Sequence, residues 1–159
     1  MREEFDNLLC QTYPKLYANR HGDVMDTLMC WGFECGDGWF TVIDRLSANI
    51  QSYIDWKQKS RDSALKWNEE HPDDLRAVPE VVEQVVVTQV KEKFGGLRFY
   101  YEGGDEHISG MVRMAESWAA YTCEECGSPG KFRHGGWLRT LCDDHEEQRQ
   151  QRLRERDNK

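Results

Sequence analysis

The sequence predicts an α+β protein in which helices pack on a β-hairpin or small antiparallel sheet, with a small metal-binding module at the C-terminal end. Apolar residues recur at helical spacing in several segments, and a valine-rich run meets an aromatic run at a pair of glycines. Three cysteines and a histidine have the spacing of metal ligands. We expect a core domain over residues 1–120, and the metal module with a solvated helix over residues 121–159.

The length and charge limit the classes of protein to consider. The chain has 159 residues and a net charge of -8, with 16 acids and 9 bases in residues 1–84 and 13 acids and 12 bases in residues 85–159. The acidic first part argues against a protein that coats nucleic acid. Glu3 and Glu4 stand where a secretory signal would have bases, and no apolar run approaches the roughly 20 residues that span a bilayer. We therefore expect a cytoplasmic protein without a membrane partner, whose cysteines are metal ligands or buried thiols.

The first predicted helix has apolar positions at Phe5, Leu8, Leu9 and Leu16, and Pro14 should kink or split it.

The segment from Met29 to Phe40 alternates glycines with bulky aromatic residues, which indicates a tight turn under large side chains. Trp31, Phe33 and Trp39 are the candidate partner-binding residues, on the expectation that they form an exposed aromatic patch.

The central helix is predicted to begin at Trp39 and to fray in the charged sequence after Trp56, before an exposed loop that reaches Pro79. Its apolar face consists of Ile43, Leu46, Ile50 and Ile54.

The segment Val81 to Tyr101 has the pattern of a β-hairpin, with Gly95-Gly96 as the loop. In that register Lys93 faces Arg98, and one face packs on the central helix. The predicted core face consists of Thr88, Val90, Phe94, Leu97, Phe99 and Tyr101.

The next helix is predicted to be capped by Asp105. Its apolar positions are Ile108, Met111, Val112, Ala115, Trp118 and Ala119.

The strongest chemical pattern is formed by Cys123, Cys126, Cys142 and His145, spaced as C-x2-C, fifteen residues and C-x2-H. Gly127 lets the backbone turn so that the first two thiolates reach one Zn²⁺ ion, and the second pair would lie on the first turn of the closing helix. This predicts a treble-clef-like module. Because protein would fill all four positions, we expect one structural zinc.

A second metal site is a further possibility. Cys30 and Cys35 could bind a metal together with Cys10 or His21, although we favour buried thiols beside aromatic residues.

Basic residues in the second part of the chain suggest a nucleic-acid surface within residues 85–141. An ordinary solvated face is the alternative that we favour, since such clusters are common on soluble proteins. The candidate residues are Lys91, Lys93, Arg98, Tyr100, Lys131, Arg133 and Arg139.

We predict no catalytic residues. The motifs of serine hydrolases, P-loop and Rossmann enzymes and HExxH metalloproteases are missing from the sequence, and His71, His107 and His134 are isolated. A nuclease built on a treble clef is a minority alternative, with His134 as its candidate.

Three segments together, MCWGFECGDGWF at 29–40, QVKEKFGGLRFYY at 89–101 and CEECGSPGKFRHGGWLRTLCDDH at 123–145, resemble small uncharacterised proteins of tailed bacteriophages and prophages. This resemblance implies a phage accessory protein in a bacterial cytoplasm. The third segment, through C-x2-C-G and Leu141-Cys142, also resembles the zinc finger of DksA/TraR-type regulators of RNA polymerase, which usually have cysteine where this chain has His145.

We therefore expect a non-enzymatic accessory protein with a structural zinc that binds and modulates a host macromolecule, with a protein favoured over a nucleic acid. A nucleic-acid-binding or RNA-polymerase-associated regulator is the first alternative, and the nuclease is the second.

Overall fold

A computed structural model describes residues 1–157 and confirms the α+β class. The elements in chain order are α1 (Glu3–Thr12), a 3-10 turn (Leu28–Trp31), β1 (Phe33–Glu34), a second 3-10 turn (Asp37–Trp39), α2 (Phe40–Glu70), β2 (Val86–Lys93), β3 (Gly96–Glu102), α3 (Glu106–Ala119), β4 (Lys131–Arg133), β5 (Arg139–Leu141) and α4 (Asp143–Asp157).

The core lies between α2, α3 and the sheet of β1, β2 and β3. The apolar stripe predicted for the central helix is buried, with Ile43 and Ile50 fully enclosed. The predicted fraying after Trp56 is wrong, because α2 continues to Glu70. The returning loop stabilises this extension, since the Trp67 indole N–H donates to the Asp74 carbonyl at 2.9 Å.

The main sheet is mixed and not purely antiparallel as predicted. Strand β1 runs parallel to β2, and β2 pairs with β3 in an antiparallel hairpin. Two residues form β1, so the sheet depends mainly on the long hairpin.

The hairpin turn lies one residue earlier than predicted. Lys93 pairs with Gly96, which leaves Phe94 and Gly95 as the loop residues, and Lys91 lies opposite Arg98. The predicted cation pair of Lys93 and Arg98 is therefore wrong. The shift brings Gly95 against the hairpin of β4 and β5, where its carbonyl accepts a hydrogen bond from the Thr140 hydroxyl at 2.6 Å.

The core face of the hairpin is partly as predicted. Val90, Leu97 and Phe99 are buried, whereas Phe94 is exposed at the turn. Thr88 is half-buried, because the pairing shifts between Val87 and Gln89 and breaks the alternation of faces.

Helices α1 and α3 each differ from expectation at one position. Helix α1 ends at Thr12, so Pro14 terminates the helix and does not kink it. In α3 the Asp105 side chain caps the helix as predicted, accepting from the Ile108 N–H at 3.1 Å. Trp118, predicted as a core position, is exposed.

Candidate metal centre and adjoining surfaces

The predicted metal ligands lie together. The ligand atoms of Cys123, Cys126, Cys142 and His145 are all within 4.8 Å of one another. A tetrahedral ion with bonds of about 2.3 Å to sulfur separates two sulfurs by about 3.8 Å, and the Sγ atoms of Cys126 and Cys142 are 3.9 Å apart. His145 directs Nδ1 at the sulfurs, 3.6 Å from Cys123 Sγ and 3.1 Å from Cys142 Sγ. This group can hold one metal ion.

The backbone turns tightly to bring the first two thiols together. The Gly127 N–H donates to the Cys123 carbonyl at 2.8 Å, and the Cys123 N–H donates to the Ser128 carbonyl at 2.7 Å. Gly127 has a φ of 78°, in the left-handed region that favours glycine. Cys142 lies between β5 and α4, and His145 lies in the first turn of α4, so the second pair of candidate ligands is placed where these two elements join.

The surroundings shift the thiol pKa values of Cys123 and Cys126 in opposite directions. Hydrogen bonds from the hydroxyl and the backbone N–H of Ser128 lower the pKa of Cys126 to about 6. Burial raises the pKa of Cys123 above its ordinary value. A thiolate is the form that binds metal, so the exposed Cys126 is already suited to the role.

The turn over residues 123–127, which we call the metal knuckle, packs directly against the glycine-aromatic segment of residues 29–40. The Gly38 N–H donates to the Glu124 carbonyl at 2.7 Å, and the Gly36 N–H donates to the Glu124 carboxylate at 3.0 Å. The indole N–H of the buried Trp39 donates to the Thr122 carbonyl at 2.8 Å. A Cβ atom on Gly38 would lie 2.1 Å from the Cys123 carbonyl oxygen, so only glycine fits. The glycine-aromatic segment is therefore the surface of the body on which the metal module packs.

The partner-binding prediction for the same segment needs correction. Trp31 is 65% exposed, but Phe33 and Trp39 are buried in the core and cannot contribute to an exposed aromatic patch. Their apolar surface is used to join β1 and the second 3-10 turn to the body of the protein.

Three of the residues predicted to contact nucleic acid form ion pairs with carboxylates of the metal module. Lys131 and Arg133 both contact the Asp143 carboxylate, at 2.9 and 2.6 Å, and together they lower the Asp143 pKa to about 2.

Arg139 is the third of these cations. It contacts Glu124 at 3.0 Å and Glu125 at 2.6 Å. Burial raises the pKa of Glu124 and the Arg139 guanidinium opposes that rise. The cations of this hairpin are largely neutralised, which weakens the case for a phosphate contact there.

The other four predicted contacts lie on the outer face of the main hairpin. Lys91 is opposite Arg98, and Lys91 Nζ lies 5.6 Å from the centre of the Tyr100 ring. Among residues 1–157, no carboxylate is within ion-pair distance of Lys91, Lys93 or Arg98. These cations remain available to a ligand.

The remaining cysteines do not form a second metal group within the part of the chain that the structure describes. The Cys10 thiol donates to Asp6 at 3.6 Å, the Cys30 thiol donates to the Thr27 carbonyl at 3.0 Å, and Cys35 is buried. Of the three cysteines for which we favoured buried thiols, Cys35 is buried, whereas Cys10 and Cys30 are half-buried.

The isolated histidines pack on aromatic rings. His71 stacks on Trp67, His107 lies 4.5 Å from the Tyr53 ring centre, and the exposed His134 contacts Phe132 edge-on.

Sequence reasoning missed a cleft between the tip of the main hairpin and the loop that joins β4 to β5. We name it the Phe94–Trp137 cleft. It has a volume of about 540 Å³, and its walls are mostly apolar. The lining residues are Lys91, Glu92, Lys93, Phe94, Gly136, Trp137 and Leu138.

Two residues of this cleft have unusual exposure for their type. Phe94 is 70% exposed and Trp137 is 69% exposed. Phe94 also has a φ of 54°, where a non-glycine residue costs about 1 to 2 kcal/mol. Asparagine or glycine is preferred at this position of a two-residue hairpin turn. The sequence signal for both residues is an aromatic side chain beside a glycine pair, at 94–96 and 135–137.

Comparison of the chain with known proteins identifies no relative: no family model, no curated protein and no solved structure matches it. Within the described residues, no helix has both the length and the apolar character needed to cross a membrane.

Proposed function

We propose that this protein is a non-enzymatic binding factor in which one structural zinc ion holds a treble-clef-like module against an α+β body. The observation that carries the proposal is the ligand group itself. Four protein ligand atoms lie within 4.8 Å of one another, and a tetrahedral ion bound by all four would have no coordination site left for water or substrate.

The donor set favours zinc among the metals that could occupy the centre. Three thiolates and one imidazole are a common structural zinc set, and soft sulfur ligands disfavour magnesium and calcium. The order of knuckle, short hairpin and helix, with the last ligand on the first turn of that helix, supports the treble-clef description.

A protein partner is favoured over a nucleic acid for two reasons. The chain has a net charge of -8, and Lys131, Arg133 and Arg139 of the β4–β5 hairpin are ion-paired within the chain. Large apolar side chains also remain exposed, including Met114, Trp118 and Tyr121 at helical spacing along and just beyond α3. Exposed apolar groups arranged in this way are typical of protein interaction surfaces.

A host protein in the cytoplasm of a phage-bearing bacterium is proposed from the resemblance of the three sequence segments alone.

A nucleic-acid-binding role is the second candidate, because Lys91 lies 5.6 Å from the centre of the exposed Tyr100 ring. Lys93 and Arg98 share the same face of the hairpin, and none of the three cations has a carboxylate partner in the described part of the chain. Cations beside a stacking ring are the elements of a single-strand site. A polymerase-associated role belongs with this candidate, and a nuclease centred on His134 has only the sequence to support it.

Capture from bacterial extract tests the proposal. Immobilised zinc-loaded protein should retain a specific bacterial protein after nuclease treatment of the extract, and chelated protein should not retain it. Elemental analysis should give one zinc per chain. Retention that disappears with nuclease, or cleavage of nucleic acid by the purified protein, would contradict the proposal.

A further inference from the structure

The Phe94–Trp137 cleft has the size and lining of a binding site for an apolar side chain. Its volume of about 540 Å³ falls in the range of ligand pockets. Nucleobases carry polar edges that lose water in such an apolar cleft, whereas an aliphatic or aromatic side chain has no polar edge to desolvate. The shape and chemistry of the cleft therefore favour a side chain over a base.

The charges at the cleft mouth define what should flank that side chain. Lys91 and Lys93 line the cleft and make no ion pair in the described region. The one acid in the lining, Glu92, is engaged in the turn, where its carboxylate accepts from the Gly95 N–H at 2.6 Å. Arg149, which contacts the Trp137 carbonyl, is already ion-paired with Glu146 at 3.2 Å, so the cations offered to a ligand are Lys91 and Lys93. The surroundings of the cleft thus complement carboxylates.

The conformation of Phe94 is a second, independent observation. The chain holds a large apolar side chain in a left-handed turn position and exposes most of it to solvent. Outliers of this kind are concentrated at functional sites. The fold gains little burial from Phe94, so the gain is expected in a bound state.

Both walls of the cleft are fixed in position. The Thr140 hydroxyl donates to the Gly95 carbonyl at 2.6 Å, which joins the hairpin tip to β5. Arg149 of α4 donates to the Trp137 carbonyl at 2.9 Å. Cys142 follows β5 directly and His145 lies in α4, so both walls are joined to the elements beside the candidate metal centre.

We propose that the Phe94–Trp137 cleft binds an acidic segment of a partner protein, with one large apolar side chain between Phe94 and Trp137 and carboxylates at Lys91 and Lys93. This inference rests on the proposed protein-binding function and names the chemical class of the partner.

Selection from a library of random short peptides against the zinc-loaded protein is the test. Enriched peptides should share a large apolar residue flanked by aspartate or glutamate. Trp137→Ala and Phe94→Asn should each weaken binding of those peptides by roughly tenfold or more, and Lys91→Glu with Lys93→Glu should abolish the preference for acids. The matched control is Trp56→Ala, the same substitution at an exposed tryptophan of α2.

The stability of the Phe94 variant separates binding from folding. Because asparagine suits this turn position, Phe94→Asn should melt at or above the temperature of the unchanged protein while losing the peptides. Absence of enriched peptides, enrichment without the acidic-apolar pattern, or undiminished binding by Phe94→Asn and Trp137→Ala would overturn the inference. So would binding of a labelled oligothymidylate that these two variants lose.

Extract capture distinguishes failure of this inference from failure of the proposed function. If Phe94→Asn retains the same bacterial protein as the unchanged chain, the cleft is not the contact surface and the binding function stands. If the unchanged chain retains no protein, the binding function fails whatever the peptides show.

Discussion

Replacing Gly38 by alanine should undock the metal module from the body without removing the metal. The new Cβ atom would lie 2.1 Å from the Cys123 oxygen, 2.5 Å from the Gly127 nitrogen and 2.7 Å from the Cys126 nitrogen. All three are backbone atoms, and ordinary contact begins near 3.4 Å. The knuckle must therefore withdraw by roughly an ångström, because a packed interior does not absorb such an overlap.

That withdrawal would break three hydrogen bonds, which join Gly36, Gly38 and Trp39 to Glu124 and Thr122. At about 1 kcal/mol each, the expected loss is about 3 kcal/mol in the free energy of unfolding. For a chain of this length the melting temperature falls by about 2 to 4 °C per kcal/mol, so a decrease of about 6 to 12 °C is expected. Structural zinc contributes about 10 to 16 kcal/mol, so the variant should still bind it stoichiometrically.

The assay is thermal unfolding of the zinc-loaded protein, with zinc content measured on the same preparation. Gly110→Ala is the matched control, since nothing lies within 4 Å of its new Cβ atom and alanine favours a helix interior by about 1 kcal/mol. Gly110→Ala should melt at the same or a higher temperature. If Gly38→Ala and the unchanged protein have the same melting temperature, Gly38 does not hold the metal module against the body. If Gly38→Ala loses its zinc, the loss of stability is larger than the three hydrogen bonds account for.

Other perturbations test the metal and the basic face separately. Cys126→Ser should lower the zinc content and the melting temperature, whereas Cys30→Ser should leave the zinc content at one per chain; equal effects would contradict the ligand assignment. Chelation of the unchanged protein should raise amide hydrogen exchange across residues 121–157 far more than in α2, because so small a module cannot bury enough surface alone; uniform protection would argue against a structural metal. Changing Lys91, Lys93 and Arg98 to glutamine should reduce any salt-dependent binding of single-stranded DNA, and unchanged affinity would remove the nucleic-acid candidate.

The metal centre could be predicted from the sequence because its information is local. Two ligand pairs, each separated by two residues, nearly define a tetrahedral site, since the short spacing itself brings each pair together. The long apolar stripe of α2 and the capped start of α3 were predictable for the same reason. Helical period and capping depend on residues only three or four positions apart.

The hairpin register was not predictable, because two candidate turns overlap at Phe94, Gly95 and Gly96. The observed turn is the one in which the Gly95 carbonyl accepts a hydrogen bond from the Thr140 hydroxyl, a residue 45 positions further along the chain. The same limit explains the error at Phe33 and Trp39. Their aromatic character indicated a surface or a core equally well, and only the packing of β1 and α2 assigns them to the core.

The sequence by itself determined the α+β class and the group of four residues that can hold a metal ion, since both follow from patterns over short stretches of chain. Only the tertiary structure decided that Gly36 and Gly38 contact the backbone around Cys123 and Glu124. It also decided that the cations of the β4–β5 hairpin are ion-paired, and that Phe94 and Trp137 line one cleft. Each of these depends on close approach between segments far apart in the chain. Such contacts are selected by the packing of the whole core and leave no periodic signal in the sequence.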